Sequence, residues 1–177
     1  MKSTQEVFKN TIRNVPDFPK PGINFKDITP VFQNAKLVRD IVNELTEKYR
    51  NLNLDGVAGI ESRGFLIGLP LALSLDVPFI LIRKKGKLPY KTVSYKYDLE
   101  YGSAEIEMHV DAVTQGQSIL IHDDLLATGG SAAAAANLIR QQKGNVVGFD
   151  FLIELEFLEG RQKLAPYSKN ISNFVHY

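Results

Sequence analysis

The chain has 177 residues, 44% of them hydrophobic and 23% charged, a formal charge of +1 and no cysteine. That length suits one globular domain with a substantial core. The composition excludes disulfides, thiol nucleophiles and cysteine-held metals, and a near-neutral chain has no general attraction to nucleic acid or to an anionic membrane.

The N-terminal MKSTQEVFKN lacks the apolar stretch of a signal peptide, and no apolar run is long and clean enough to span a bilayer, so a soluble cytoplasmic protein is expected. Residues 3–13 predict a short helix, ended by the turn chemistry of PDFPKPG at 16–22. Asn34 is a fitting N-cap for a helix reaching about Tyr49, with Leu37, Ile41 and Leu45 on one apolar face beside Val38 and Val42. GVAGI at 56–60 predicts a buried strand. Residues 64–75 are apolar nearly all round and predict a buried helix, with Pro70 expected to kink it. VPFILI (77–82), SILIH (118–122) and NVVGFDFLI (145–153) are further buried strands, and residues 130–143 form a helix that ends at Gly144. Strands alternate with helices and are continuous runs of Val, Ile and Leu, which favours a parallel sheet covered on both faces.

Residues 92–110 break this pattern. Val93, Tyr95, Tyr97 and Leu99 alternate with polar residues, and so do Ala104, Ile106, Met108 and Val110 after a turn at Gly102. The segment predicts an antiparallel hairpin inserted into the α/β chain, in the manner of a lid or binding loop.

The most informative stretch is ILIHDDLLATGGS at 119–131. In open α/β sheets ligands bind at the carboxyl ends of the strands. Asp123 and Asp124 stand there, before a glycine turn and a helix. The helix N-terminus offers unpaired N–H groups and about half a positive charge. Thr128 and Ser131 add hydroxyls, so the loop suits a phosphate monoester. The acids repel that phosphate and need hydroxyl donors or a metal ion. A sugar phosphate satisfies both halves of the motif. Neither the Walker A pattern nor the dinucleotide G-x-G-x-x-G occurs in the chain. A solvated strand end that merely caps the next turn is the bland alternative, and the ordered run of strand, acids, glycines and helix outweighs it.

ILIHDDLLATGGS resembles the phosphoribosyl pyrophosphate (PRPP) signature of the type I phosphoribosyltransferases, and its LLATGGS ending is similar to the adenine branch of that family. PDFPKPGINFKDITPVF (16–32), GIESRGFLIG (59–68), LIRKKGKLP (81–89), YDLEYGSAEIE (97–107) and LIELEFLEGRQKLAP (152–166) resemble that branch in the same order. The resemblance implies an α/β fold of the type I kind: a parallel sheet flanked by helices, with an inserted mobile β-hairpin and a small N-terminal hood. The chain is then one domain, 1–177, with residues 1–33 as hood and base-binding region and 83–110 as basic loop and hairpin. The implied reaction is Mg2+-dependent transfer of phosphoribose from PRPP to adenine, giving AMP and pyrophosphate, in a homodimer without nucleic-acid or membrane partners.

Site roles follow from the same resemblance. Asp123 and Asp124 hold the ribose hydroxyls, and Ala127, Thr128, Gly129, Gly130 and Ser131 cradle the 5′-phosphate. Arg63, Arg83, Lys84, Lys87 and Tyr101 serve pyrophosphate, and Mg2+ is carried mainly by the diphosphate itself. Glu100 handles a proton on the purine. Asn24, Phe25, Lys26 and Leu155 surround adenine. The loop around Glu61–Ser62 often carries a non-proline cis peptide in this family. RKKGKLPYK at 83–91 is also compatible with a solvated face or an RNA patch, but with only Tyr90 to stack on bases the diphosphate is the better ligand. Asn24 and Lys26 depart from the apolar residue and arginine more common in the family, and Ser131 replaces a threonine. His122 replaces an aliphatic residue and is read as a packed strand histidine rather than a catalytic one. A hypoxanthine, guanine or xanthine enzyme and a non-catalytic PRPP-sensing regulator are the competing readings. The LEYG and PGINFKDI segments argue against the first, and the lack of an added DNA-binding domain or a basic face argues against the second.

Overall fold

The computed structural model of the chain describes residues 2–98 and 102–177. They form two compact units, Met1–Lys48 and Tyr49–Tyr177. The first unit opens with α1, Thr4–Thr11, whose start is fixed by a capping box in which Ser3 and Glu6 each accept the other's amide. Next come β1, Arg13–Pro16, and β2, Asn24–Asp27, paired antiparallel from Arg13↔Asp27 to Pro16↔Asn24. The predicted turn joins them, and Asp17 Oδ1 holds its far end through the Gly22 amide at 2.7 Å. Strands of four residues are too short for alternation to show in a sequence, so only the turn between them is legible. A single helical turn, α2, Thr29–Phe32, leads to α3, Ala35–Tyr49. Asn34 caps α3 as predicted, its Oδ1 accepting the Leu37 amide at 3.1 Å. Leu37, Ile41 and Leu45 are buried, as their spacing demands.

The second unit is built on seven strands. They are β3, Gly56–Ile60; β4, Phe79–Lys84; β5, Thr92–Asp98; β6, Ser103–His109; β7, Ser118–Leu126; β8, Asn145–Glu154; and β9, Ile171–His176. Their spatial order is β5-β6-β4-β3-β7-β8-β9. From β4 to β9 every neighbouring pair is parallel. The hairpin forms as predicted, from Thr92↔His109 to Asp98↔Ser103. It is not a free excursion, because β6 joins β4 antiparallel at Arg83↔Glu107 and Lys84↔Ile106 and so extends the sheet. In this unit β9 is the strand that sequence reading missed: Ser172 and Asn173 interrupt its apolar pattern.

Two main helices cover the sheet, α4, Gly64–Ser74, and α5, Gly130–Gln141; a short α6, Gly160–Leu164, lies near the C-terminus. Pro70 sits within α4, which continues through it to Ser74. Alternation along β7 assigns the helices to opposite faces. Ile119 and Ile121 join the core cluster with α5, while the His122 ring faces Gly68 of α4. The alanine run 132–136 does more than favour a helix. All five alanines are buried, and their small side chains let α5 lie close over Ile121, Phe149 and Phe151.

Candidate active site

β7 runs on through both acids to Leu126, so Asp123 and Asp124 lie inside the strand rather than just beyond it. The β8 ladder runs past both acids, from Asp123↔Phe151 to Leu126↔Glu154, while the β3 ladder ends one residue before them at Gly59↔His122. Asp123 lines a cavity of about 660 Å³, and Asp124 is nearly buried and ion-paired, its Oδ2 2.8 Å from Arg63 Nε. The Asp124 amide donates to Asp123 Oδ1 at 2.9 Å. Burial pushes the Asp123 carboxyl well above its ordinary value, and the neighbouring Asp124 pushes it further, against the opposing pull of the amide and Arg63. Burial raises Asp124 as well, and Arg63 is the main force holding it down. A ligand that brings hydroxyl donors would stabilise the ionised form of such a pair.

The close approach here depends on a residue that sequence reading passed over. A Cβ on Gly64, the first residue of α4, would stand 2.9 Å from Asp123 Oδ1 and 3.0 Å from the His122 carbonyl oxygen. Only glycine lets the start of α4 reach the acids.

Ala127, Thr128, Gly129, Gly130 and Ser131 all line the same cavity as Asp123. Gly129 is left-handed at φ 77° and caps α5, whose first residues, Gly130 to Ala132, line the cavity and carry the unpaired amides of a helix start. Ser131 Oγ is 3.0 Å from the hydroxyl of Tyr97 on the hairpin. Lys163 of α6 also lines the cavity and supplies a cation that the loop itself lacks. It went unnoticed in the sequence because it sits more than thirty residues downstream with no motif of its own.

Glu61 ties Arg83 to the loop that carries Arg63. Glu61 Oε2 accepts from Arg83 Nε at 3.2 Å and from the Lys84 amide at 2.8 Å, two residues before Arg63 in the chain. The Glu61–Ser62 peptide is cis, as the resemblance implies. Glu107, buried on β6, organises the rest of the basic loop. It accepts from the amides of Lys87 (2.9 Å) and Leu88 (3.0 Å) and from the Thr92 hydroxyl (3.0 Å), with Lys85 Nζ at 3.5 Å. Burial alone would raise its carboxyl, but the two amides, the hydroxyl and Lys85 outweigh burial and hold it below the usual range. Arg83 Nη1 also donates to the Lys87 carbonyl at 3.3 Å.

Leu155 follows β8, and its amide donates to the Leu126 carbonyl at 2.9 Å, directly before the phosphate loop. Behind it Glu154 is held by a two-pronged pair with Arg161, both bonds 2.7 Å, and by Asn173. Asn24, Phe25 and Lys26 lie in β2 of the first unit; Phe25 meets Phe18 edge to face at 5.2 Å, and Lys26 Nζ donates to Asn14 Oδ1 at 2.6 Å. Glu100 and Tyr101 lie outside the described residues.

Residues 27–173 match the phosphoribosyl transferase domain. The chain belongs to the phosphoribosyltransferase family. Among its phosphoribosyltransferase relatives, the adenine phosphoribosyltransferase of Cytophaga hutchinsonii is 51% identical over 98% of this chain and 96% of that protein. The adenine phosphoribosyltransferase of Rhodothermus marinus has a crystal structure that matches at a TM-score of 0.92, with 48% identity and 98% of each chain covered. That of Saccharomyces cerevisiae, solved with an imino-altritol bisphosphate and adenine, matches at 0.91 with 38% identity, covering 98% of this chain and 99% of that one. Both solved structures share the phosphoribosyltransferase sheet and helices described above.

The anchoring of the basic loop gives a first expected result. Glu107→Gln trades an acceptor oxygen for an amide group that faces other donors. It should destabilise the protein by about 1–3 kcal/mol in a denaturant titration, the cost of leaving buried donors unmatched. An unchanged midpoint would show that the loop holds its shape without this carboxylate.

Proposed function

We propose that the chain transfers phosphoribose from PRPP to adenine, giving AMP and pyrophosphate, as a cytoplasmic purine-salvage enzyme of one phosphoribosyltransferase domain with residues 1–33 as its hood. The observation that carries the chemistry is the single cavity holding Asp123 beside the 127–131 loop at the start of α5. The choice of base is supported by relatives about half identical over nearly the whole chain, among them the adenine phosphoribosyltransferases of Cytophaga hutchinsonii and Ureaplasma parvum.

The reaction breaks the bond from C1′ of PRPP to pyrophosphate, which leaves with the bonding electrons, and joins C1′ to N9 of adenine. The 5′-phosphate sits on the 127–131 amides and hydroxyls with Lys163 beside it. Asp123 and Asp124 accept hydrogen bonds from the ribose hydroxyls and, once ionised, stabilise positive charge that develops on the ring. Arg63, Arg83, Lys84 and Lys87 face the diphosphate. Tyr101 joins them there, and Glu100 takes the N9 proton as the new bond forms. The backbone of Asn24-Phe25-Lys26 supplies a donor to N1 and an acceptor for the 6-amino group, and Phe25 and Leu155 are the side chains that pack on the base. Among the described residues no cluster of three or more His, Asp or Glu side chains is arranged to hold a metal. Mg2+ would arrive on the diphosphate and would supply neutralisation of charge on the leaving group.

The partner is a second copy of the chain. Leu66, Leu69 and Leu73 recur along one face of α4 and remain exposed, Leu73 at 72%, an apolar stripe that a homodimer would cover.

Mixing protein, PRPP and Mg2+ with each purine in turn tests this reading. AMP and pyrophosphate should form with adenine, and kcat/KM for hypoxanthine and guanine should be lower by at least about a thousandfold, because a 6-oxo group leaves the base-reading groups mispaired. Turnover of a 6-oxopurine at a comparable rate would reassign the substrate, and no product with any base would remove the enzymatic reading.

A further inference from the structure

A second cluster of ionisable groups lies directly behind the acids. His122 is fully buried and precedes Asp123 on β7; its Nδ1 is 2.9 Å from Oδ2 of Asp150, its register partner on β8, which is also fully buried. The other oxygen of Asp150 accepts from the Tyr49 hydroxyl at 2.7 Å and from Ser172 Oγ of β9 at 2.8 Å. Those two hydroxyls are 2.6 Å apart. Four polar residues from four segments thus meet in the core, and the proposed chemistry uses none of them. Nε2 of His122 is buried with no hydrogen-bond partner among the described residues.

We propose that His122 and Asp150 form a buried dyad that sets the charge on the Asp123–Asp124 pair, with His122 acting as a positioning residue. Asp150 is a third carboxylate in a small space. By donating Nδ1–H, His122 ties its charge to the β8 side and stands between it and the acids. The groups facing this cluster can be named from each direction. β8 contributes Asp150 and β9 Ser172; Tyr49 contributes its hydroxyl. Along β7 stand Asp123 and Asp124, and among the described residues Gly68 of α4 lies against the ring while Arg63, which precedes that helix, pairs with Asp124. Adjacent residues on one strand face are about 6.6 Å apart, a range at which a charge in the interior still acts on its neighbour. Consistent with this, His122 helps to hold the Asp124 carboxyl down, after Arg63 and the hydrogen bond with Asp123. Burial first and Asp150 second raise the Tyr49 phenol above its ordinary value.

The inference rests on the phosphoribosyl-transfer reading, and the closing experiment separates the two. The acid limb of kcat/KM against pH is measured with PRPP and adenine for the parent and for Asp150→Asn and His122→Val. Asp150→Asn keeps every hydrogen bond: its oxygen still accepts from Tyr49 and Ser172, and its amide donates to Nδ1 of the other imidazole tautomer. It removes only the charge, so the acid limb should move down by about one pH unit. His122→Val leaves Asp150 charged and unscreened on that side, so its limb should move up. The double variant His122→Val, Asp150→Ala should fall at or below the parent. A parent without activity overturns the functional reading. An active parent whose limb coincides with that of Asp150→Asn overturns the dyad's role, even if His122→Val fails to fold.

Discussion

Replacing Asp123 and Asp124 together by asparagine should abolish turnover and make the protein more stable at pH 8. The two effects share a cause. Both carboxyls are raised above their ordinary 3.8 by burial, and Asp123 also by repulsion from Asp124. Between the unfolded and folded values the native state binds more protons than the unfolded state, so stability falls as pH rises through that window. Asparagine is neutral throughout and escapes that loss. The difference in melting temperature between variant and parent should therefore be largest at high pH and shrink as pH falls toward 4. Turnover should drop by at least about a thousandfold, because the groups lost are those that meet charge forming on the ring. Retained activity would remove the acids from the mechanism. A variant less stable than its parent at pH 8 would show that Arg63 needs Asp124 more than the acids repel each other.

Gly129→Ala is the second large expectation. Its left-handed backbone costs an L-residue about 1–2 kcal/mol. A Cβ would also lie 2.7 Å from the Gly160 carbonyl oxygen, a backbone atom with no rotamer to yield. The loop must therefore shift as well as strain. KM for PRPP should rise about tenfold or more, the equivalent of some 1.4 kcal/mol of anion binding, along with a lower melting temperature. Gly116→Ala supplies the control: its φ of 88° is just as left-handed, but nothing lies within 4 Å of its Cβ position. It should lose stability with KM unchanged. Equal behaviour of the two variants would reduce the Gly129 effect to backbone strain alone.

The parts of the fold that could be read in advance are those with a repeating pattern. The Leu37–Leu45 face and the continuous apolar strands were legible because each residue points the way its neighbours predict. β1, β2 and β9 were not, being short or broken by polar residues whose partners lie far away in sequence. The phosphate loop was legible because amides, hydroxyls and acids adjoin in the chain, and the fold keeps the loop and Asp123 in one cavity, with Asp124 paired to Arg63 beside it. Glu61, Gly64, Glu107 and Lys163 left no such trace. Each acts by meeting a residue on another element, and in sequence a buried acid on a strand looks like any exposed one. His122 was read correctly as packed, but its partner Asp150 is 28 residues away, and nothing local joins them.

The order of strands has a consequence for how the protein is made. β7 lies between β3 and β8, one ending at Ile60 and the other beginning at Asn145, and both pairings are parallel. Parallel neighbours cannot close as local hairpins and must wait for a long crossover. A growing chain on the ribosome therefore carries the two acids well before it can enclose them, and β8 must emerge before the central strand is flanked on both sides. Leu155, which closes the end of that strand, comes later still. A truncated product of synthesis would hold the motif intact and still lack the pocket.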